Sequence, residues 1–87
     1  MGIELDMYKI KYKNRNIQLE YIATIYNEDI IWELDSLGCC KCDGSSRSIF
    51  EIDGHALRRN INLLLEGGYS INHNFKDDDL YECRIYY

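Results

Sequence analysis

Alternation of apolar and polar residues is clearest at the start of the chain, where Ile3, Leu5 and Met7 share one parity and Tyr8, Ile10 and Tyr12 take the other. A parity change inside a strand is what one extra residue at a bulge produces, so the pattern predicts a bulged strand over 3–13. Asn14-Arg15-Asn16 is turn chemistry, and Ile17, Leu19, Tyr21, Ala23 and Ile25 then alternate on one face of a second strand over 17–26. The two segments should form a hairpin. Its first strand carries Lys9, Lys11 and Lys13 on the other face, a stripe of the kind that keeps an exposed strand soluble and unpaired.

Residues 28–37 fit two periods: Ile30, Trp32 and Leu34 alternate as in a strand, while Ile30, Ile31, Leu34 and Leu37 form a helical stripe. The ends favour a helix. Asn27 can cap the first amides, Glu28 and Asp29 suit the positive end of the dipole, and Gly38 stands where a left-handed C-terminal residue is wanted. Glycines and serines around the thiols make 38–46 a loop, after which 47–52 reads as a short strand. Asp53 is a cap for a helix over 53–66 with Leu57, Ile61, Leu64 and Leu65 inward, ended by Gly67-Gly68. Segments 69–75 and 80–87 alternate as two strands joined by Lys76-Asp77-Asp78-Asp79, which predicts a closing hairpin. The fold class expected is α+β: a mostly antiparallel sheet of about five strands packed by one main helix (53–66), with 28–37 as a second, short helix.

At 87 residues the chain has room for one core, so 1–87 is read as a single compact domain. No apolar run is long enough to span a membrane, and the first residues lack the basic and apolar regions of a secretory signal, so a cytoplasmic protein is expected. Proline is absent, and Ile, Asn, Lys and Tyr outweigh Ala, the usage of an A/T-rich genome such as that of a low-GC bacterium or its phage.

Of four cysteines, Cys39, Cys40 and Cys42 crowd into four residues, a cluster that suits reduced thiols or a metal better than secreted disulfides. Cys39 and Cys42 form a compact ligand pair, and twelve residues separate Cys42 from His55, the spacing of the first three ligands of a Cys2His2 zinc site. Positions 59–61 supply no fourth ligand, so a closed zinc site would need Cys83, whose shared parity with Tyr81 and Ile85 equally makes it a core thiol. No phosphate-binding glycine loop, nucleophile elbow or His-Glu-x-x-His motif is present, and an enzyme is not expected.

The net charge is −5, and the carboxylates gather in two groups: Glu28, Asp29, Glu33 and Asp35, then Asp77, Asp78, Asp79 and Glu82. Such groups ordinarily serve solvation; arrayed on a surface they can also imitate nucleic-acid phosphates and occupy a basic groove. Arg47, Arg58, Arg59 and Lys41 make at best a small basic patch against a pI near 4.8, so direct nucleic-acid binding ranks below both protein binding and zinc binding. Eight tyrosines are a further excess, and tyrosine supplies large contact area at little entropic cost. Tyr8, Tyr12, Tyr26, Tyr86 and Tyr87 are the candidate contact residues. Together these features predict a small acidic protein-binding module, of the type of a phage or mobile-element inhibitor of a host nucleic-acid-handling enzyme, such as anti-CRISPR and anti-restriction proteins.

Overall fold

The fold is that of a computed structural model, which describes residues 2–40, 48–69 and 73–87, without the side chains of 39, 40 and 48. Strands β1 (Glu4–Lys13) and β2 (Asn16–Ile25) form the expected hairpin. Asn14 and Arg15 hold φ of 51° and 68°, the left-handed pair of the tight turn whose twist matches that of paired strands. Helix α1 (Glu28–Leu37) follows, with the Asn27 carboxamide accepting from the Ile30 amide at 3.3 Å. Its sequence period resolves in favour of the helix because Ile30, Ile31 and Leu34 are buried together. Gly38 ends the helix in an extended conformation (φ −98°, ψ 174°), a correction to the left-handed expectation. The reason for glycine there is space: a Cβ would run into the Phe50 ring and lie 2.8 Å from the Glu51 carbonyl oxygen.

The two-residue β3 (Cys39–Cys40) and β4 (Ser48–Asp53) precede two short helices, α2 (Gly54–Arg59) and α3 (Ile61–Glu66), and β5 (Leu80–Tyr86) closes the chain. The single helix expected over 53–66 is thus broken. Asn60 (φ −115°, ψ 29°) turns its own side-chain amide onto the Ala56 carbonyl at 2.8 Å, and an asparagine that bonds locally in this way competes with helix propagation. The break changes the phase of the second half: Leu57 and Leu64 are buried as expected, Ile61 and Leu63 pack at the margin of the core, and Leu65 faces out. Asp53 caps α2 as expected, accepting from the Ala56 amide at 2.7 Å.

All neighbouring strands are antiparallel, in the order β2-β1-β5-β4-β3. The predicted hairpin between 69–75 and 80–87 therefore does not form. β5 instead runs between β1 and β4, where Tyr81, Cys83 and Ile85 are wholly buried; Tyr69 and 73–75 are not in a strand, and 70–72 lie outside the described residues. Leu5, Met7, Ile25, Phe50 and Ile52 join β5's residues on one face, against Ile31, Leu34, Leu57 and Leu64 of the helices. The molecule measures 39 × 31 × 18 Å, its thin dimension holding one sheet and one helical layer, and among the described residues no helix covers the other face of the sheet.

The bulge lies opposite its expected place. β1 pairs with β5 without a shift from Glu4 to Lys9, while its pairing with β2 jumps from Met7–Ala23 to Tyr8–Tyr21, so Ile22 is the extra residue. The parity change in β1 is therefore a change of face. Leu5 and Met7 point to the helices; Tyr8, Ile10 and Tyr12 point away from them. Lys9, Lys11 and Lys13 continue the helix-side face beyond the helices, where Lys9 reaches Asp79 at 3.3 Å and Lys11 reaches Glu20 at 2.6 Å. On β2 the bulge sends Ala23 and Ile25 inward but Ile17, Leu19 and Tyr21 to the opposite face, correcting the single stripe expected over 17–26.

Candidate docking face of the sheet

Register places one set of side chains together on the face that no described helix covers. Glu4, Asp6, Tyr8, Ile10 and Tyr12 of β1 lie beside Glu82, Arg84 and Tyr86 of β5, Ile49 and Glu51 of β4, and Ile17, Leu19, Tyr21 and Thr24 of β2. Tyr12, Ile17 and Tyr21 are 72%, 65% and 58% exposed, so apolar surface is held in water there at a cost that burial elsewhere must offset. Ile10, in contrast, is nearly covered, and it sits among Leu19, Tyr8 and Tyr12 as the floor of the patch.

Polar contacts lock this face. The Tyr21 hydroxyl donates to Thr24 Oγ1 at 2.7 Å, and Thr24 in turn donates to Asp6 Oδ1 at 2.7 Å. Tyr8 meets the Tyr21 ring edge-on at 6.0 Å, with the Arg84 guanidinium 5.4 Å from the Tyr8 ring centre. Arg84 is bound through both Nε and Nη2 to Glu82 Oε2, each at 2.8 Å. Burial, then the nearby Asp6 carboxylate, pushes the Tyr8 phenol above its usual range, so the ring is neutral at physiological pH. Rigid tyrosines beside ordered carboxylates and an arginine are the composition of an interaction hot spot.

Several sequence candidates converge on this face: Tyr8, Tyr12, Tyr86 and Glu82 are all part of it. Others do not. Tyr26 is exposed beyond the end of β2, and Tyr87 stacks at 6.2 Å on Trp32 of α1. Asp77 is held by Arg58 at 3.1 Å and stands 3.6 Å from His55, while Asp79 is held by Lys9, so the acidic group at 77–82 is largely paired within the chain. On α1, Glu28 accepts from the Trp32 indole at 3.4 Å, Asp29 and Glu33 are exposed one turn apart, and Asp35 is half-buried. Asp78 is exposed in the turn before β5. Glu4, Asp6, Glu51 and Arg84 were not singled out by the sequence, and Ile17, Leu19 and Tyr21 were read as one stripe with Ala23 and Ile25. For Glu4, Asp6 and Arg84 the signal was the alternate parity of β1 and β5, visible once both faces of a strand are asked what covers them.

Of the zinc quartet, only His55 and Cys83 have described side chains. Cys83 lies in the core with Met7 and Phe50 as cross-strand neighbours, where burial pushes its thiol far above the usual range. His55 is half-exposed beside Asp77. The Cys39 side chain and Cys42 lie outside the described residues, as do Lys41 and Arg47 of the basic patch. Among the described residues no group of three or more His, Cys, Asp or Glu is placed to hold a metal ion.

One further polar cluster lies at the margin of the helical layer, beside a cavity of about 390 Å³ lined by residues 20–24, Gly68, Tyr69 and His73. His73 Nε2 is 2.7 Å from the hydroxyl of the wholly buried Tyr81, within an aromatic cluster completed by Phe75 and Tyr69. Burial first, then Lys9, holds the His73 pKa below its ordinary 6.5. The unfolded chain therefore takes up the proton first, and stability present above the unfolded value is lost as pH falls towards the folded one. Denaturation from pH 7 to pH 5 should show wild type losing stability relative to His73→Gln; a constant difference would contradict this placement.

No family model matches the chain, and no curated protein or solved structure is significantly similar to it. Among the described residues no helix is long and apolar enough to cross a membrane.

Proposed function

We propose that this chain is a small protein-binding module that docks through the uncovered face of its sheet. The observation that carries the reading is the convergence of exposed Tyr12, Ile17 and Tyr21 with Tyr8, Arg84 and Tyr86 on one face of the sheet. A chain with no other role for that face would gain by polar residues there. Among the described residues of the face Glu4, Asp6, Glu51 and Glu82 outnumber Arg84, which favours a partner surface combining aliphatic and basic side chains. Nucleic-acid-handling enzymes present such surfaces, and an inhibitor of one, of phage or mobile-element type, is the form of this function that the acidity and size of the chain support.

The test is affinity capture from lysate of a candidate host with wild-type protein and with a Tyr8→Ser, Tyr21→Ser variant. Removing two hot-spot tyrosines should cost about 2 kcal/mol each and so weaken capture of a stoichiometric partner on the order of a thousandfold. Capture that survives the variant, with its fold confirmed by circular dichroism, would place the interface elsewhere.

A further inference from the structure

The free edge of β2 makes a second surface. β2 ends the sheet, and among the described residues no backbone bond outside the ladder reaches 16–21. The turn at Asn14-Arg15 closes on the pair Lys13–Asn16, so hydrogen-bonded and non-hydrogen-bonded pairs alternate from there. Asn16, Gln18 and Glu20 spend their backbone groups on β1. Ile17, Leu19 and Tyr21 direct theirs outward.

Edge strands are normally blunted by lysine, proline, a short length or a cover. Residues 16–21 carry no lysine or proline and are not short, and among the described residues no backbone group pairs with their outer edge. Their one charge is Glu20, already paired with Lys11, and the bulge that disrupts the edge comes only at Ile22. We infer that residues 16–21 pair antiparallel with the same residues of a second copy, about a two-fold axis at Leu19, to form one continuous sheet.

This register satisfies the edge. Ile17 meets the copy's Tyr21, and Leu19 meets Leu19, so every outward-directed residue faces another and exchanges both backbone bonds with it. Side chains agree as well. Isoleucine stands opposite tyrosine, a favourable cross-strand pair, and Gln18 stands opposite Glu20, which keeps the two copies' carboxylates from facing each other. Centring on Glu20 would oppose like charges. Past Tyr21 the bulge ends the match, and the cavity that Gly68, Tyr69 and His73 line with residues 20–24 meets the pairing segment only at Glu20 and Tyr21. The apolar strip of Tyr8, Ile10, Tyr12, Ile17, Leu19 and Tyr21 would then run uninterrupted across both copies.

Sedimentation equilibrium of the full chain should give twice the 10.3 kDa of one copy at tens of micromolar. Leu19→Lys sets two ammonium groups opposite each other at the axis and should weaken the dimer at least tenfold, with an unchanged circular dichroism spectrum because Leu19 is already 36% exposed. Leu19→Val should keep the dimer. Tyr86→Lys, on the same face but two strands away, should also keep it. A wild-type monomer at several hundred micromolar, or a dimer lost with Tyr86→Lys and kept with Leu19→Lys, would overturn the edge pairing; partner docking on the face is tested separately, by capture, and would stand.

Discussion

Gly54→Ala will cost a large part of the protein's stability, read as a lowered urea midpoint. Gly54 opens α2, is buried, and donates its amide to the Asp79 carbonyl at 2.8 Å. A Cβ there would overlap the carbonyl group of Lys76. Backbone cannot move aside as the end of a long side chain can, and the Lys76–Asp79 turn, closed by a 3.1 Å bond from the Asp79 amide to the Lys76 oxygen, feeds directly into the central strand β5. Overpacking against a fixed backbone should cost about 3 kcal/mol or more, a large part of a small domain's stability. Gly68→Ala gives the contrast. Its φ of +93° strains any side chain, but the space around it is open, so urea denaturation should show a loss of only about 1–2 kcal/mol. Equal losses at the two sites would mean that α2 does not seat against the 76–79 turn.

Phe50→Ala should be the next largest loss, about 3–5 kcal/mol. Phe50 is 1% exposed, pairs with Cys83 of β5, and fills the space that Gly38 leaves at the end of α1, so its removal opens a cavity where sheet and helix meet. Tyr12→Ala, the same kind of truncation on the opposite face, should cost less than about 1 kcal/mol because the ring is already in water. The two-layer arrangement requires that asymmetry, and similar losses at both sites would contradict it.

Local chemistry was legible where a residue acts on its neighbours. The Asn14-Arg15 turn, the Asn27 and Asp53 caps and the alternation of 80–86 all appear in the structure as the residues imply. What failed depended on distant partners. Alternation at 80–86 gives a strand with one buried face, but the choice of β1 and β4 over a hairpin with 69–75 is made by which apolar faces fit together, a non-local matter. At Asn60 a residue ordinary in a helix turned its amide onto Ala56, and no periodicity encodes that choice. The docking face was half-visible. Tyr8, Ile10 and Tyr12 were seen to change parity, yet a bulge in β1 and a true change of face predict the same string of letters, and only the helices' limited reach along the hairpin distinguishes them. The acidic groups were legible as sequence clusters but not as surfaces, since Asp77 and Asp79 meet Arg58 and Lys9 from elsewhere in the chain.

The uncovered sheet face as the docking surface is most directly tested by where a bound partner touches. A photo-reactive phenylalanine analogue placed singly at Tyr12, Tyr21, Tyr26 and Trp32, with the tagged protein irradiated in lysate of a candidate host, reads this out position by position. Adducts from 12 and 21 of one common mass, with none from 26 or 32, are the predicted result. Adducts from 32 on the helical layer, with none from 12 or 21, would contradict it.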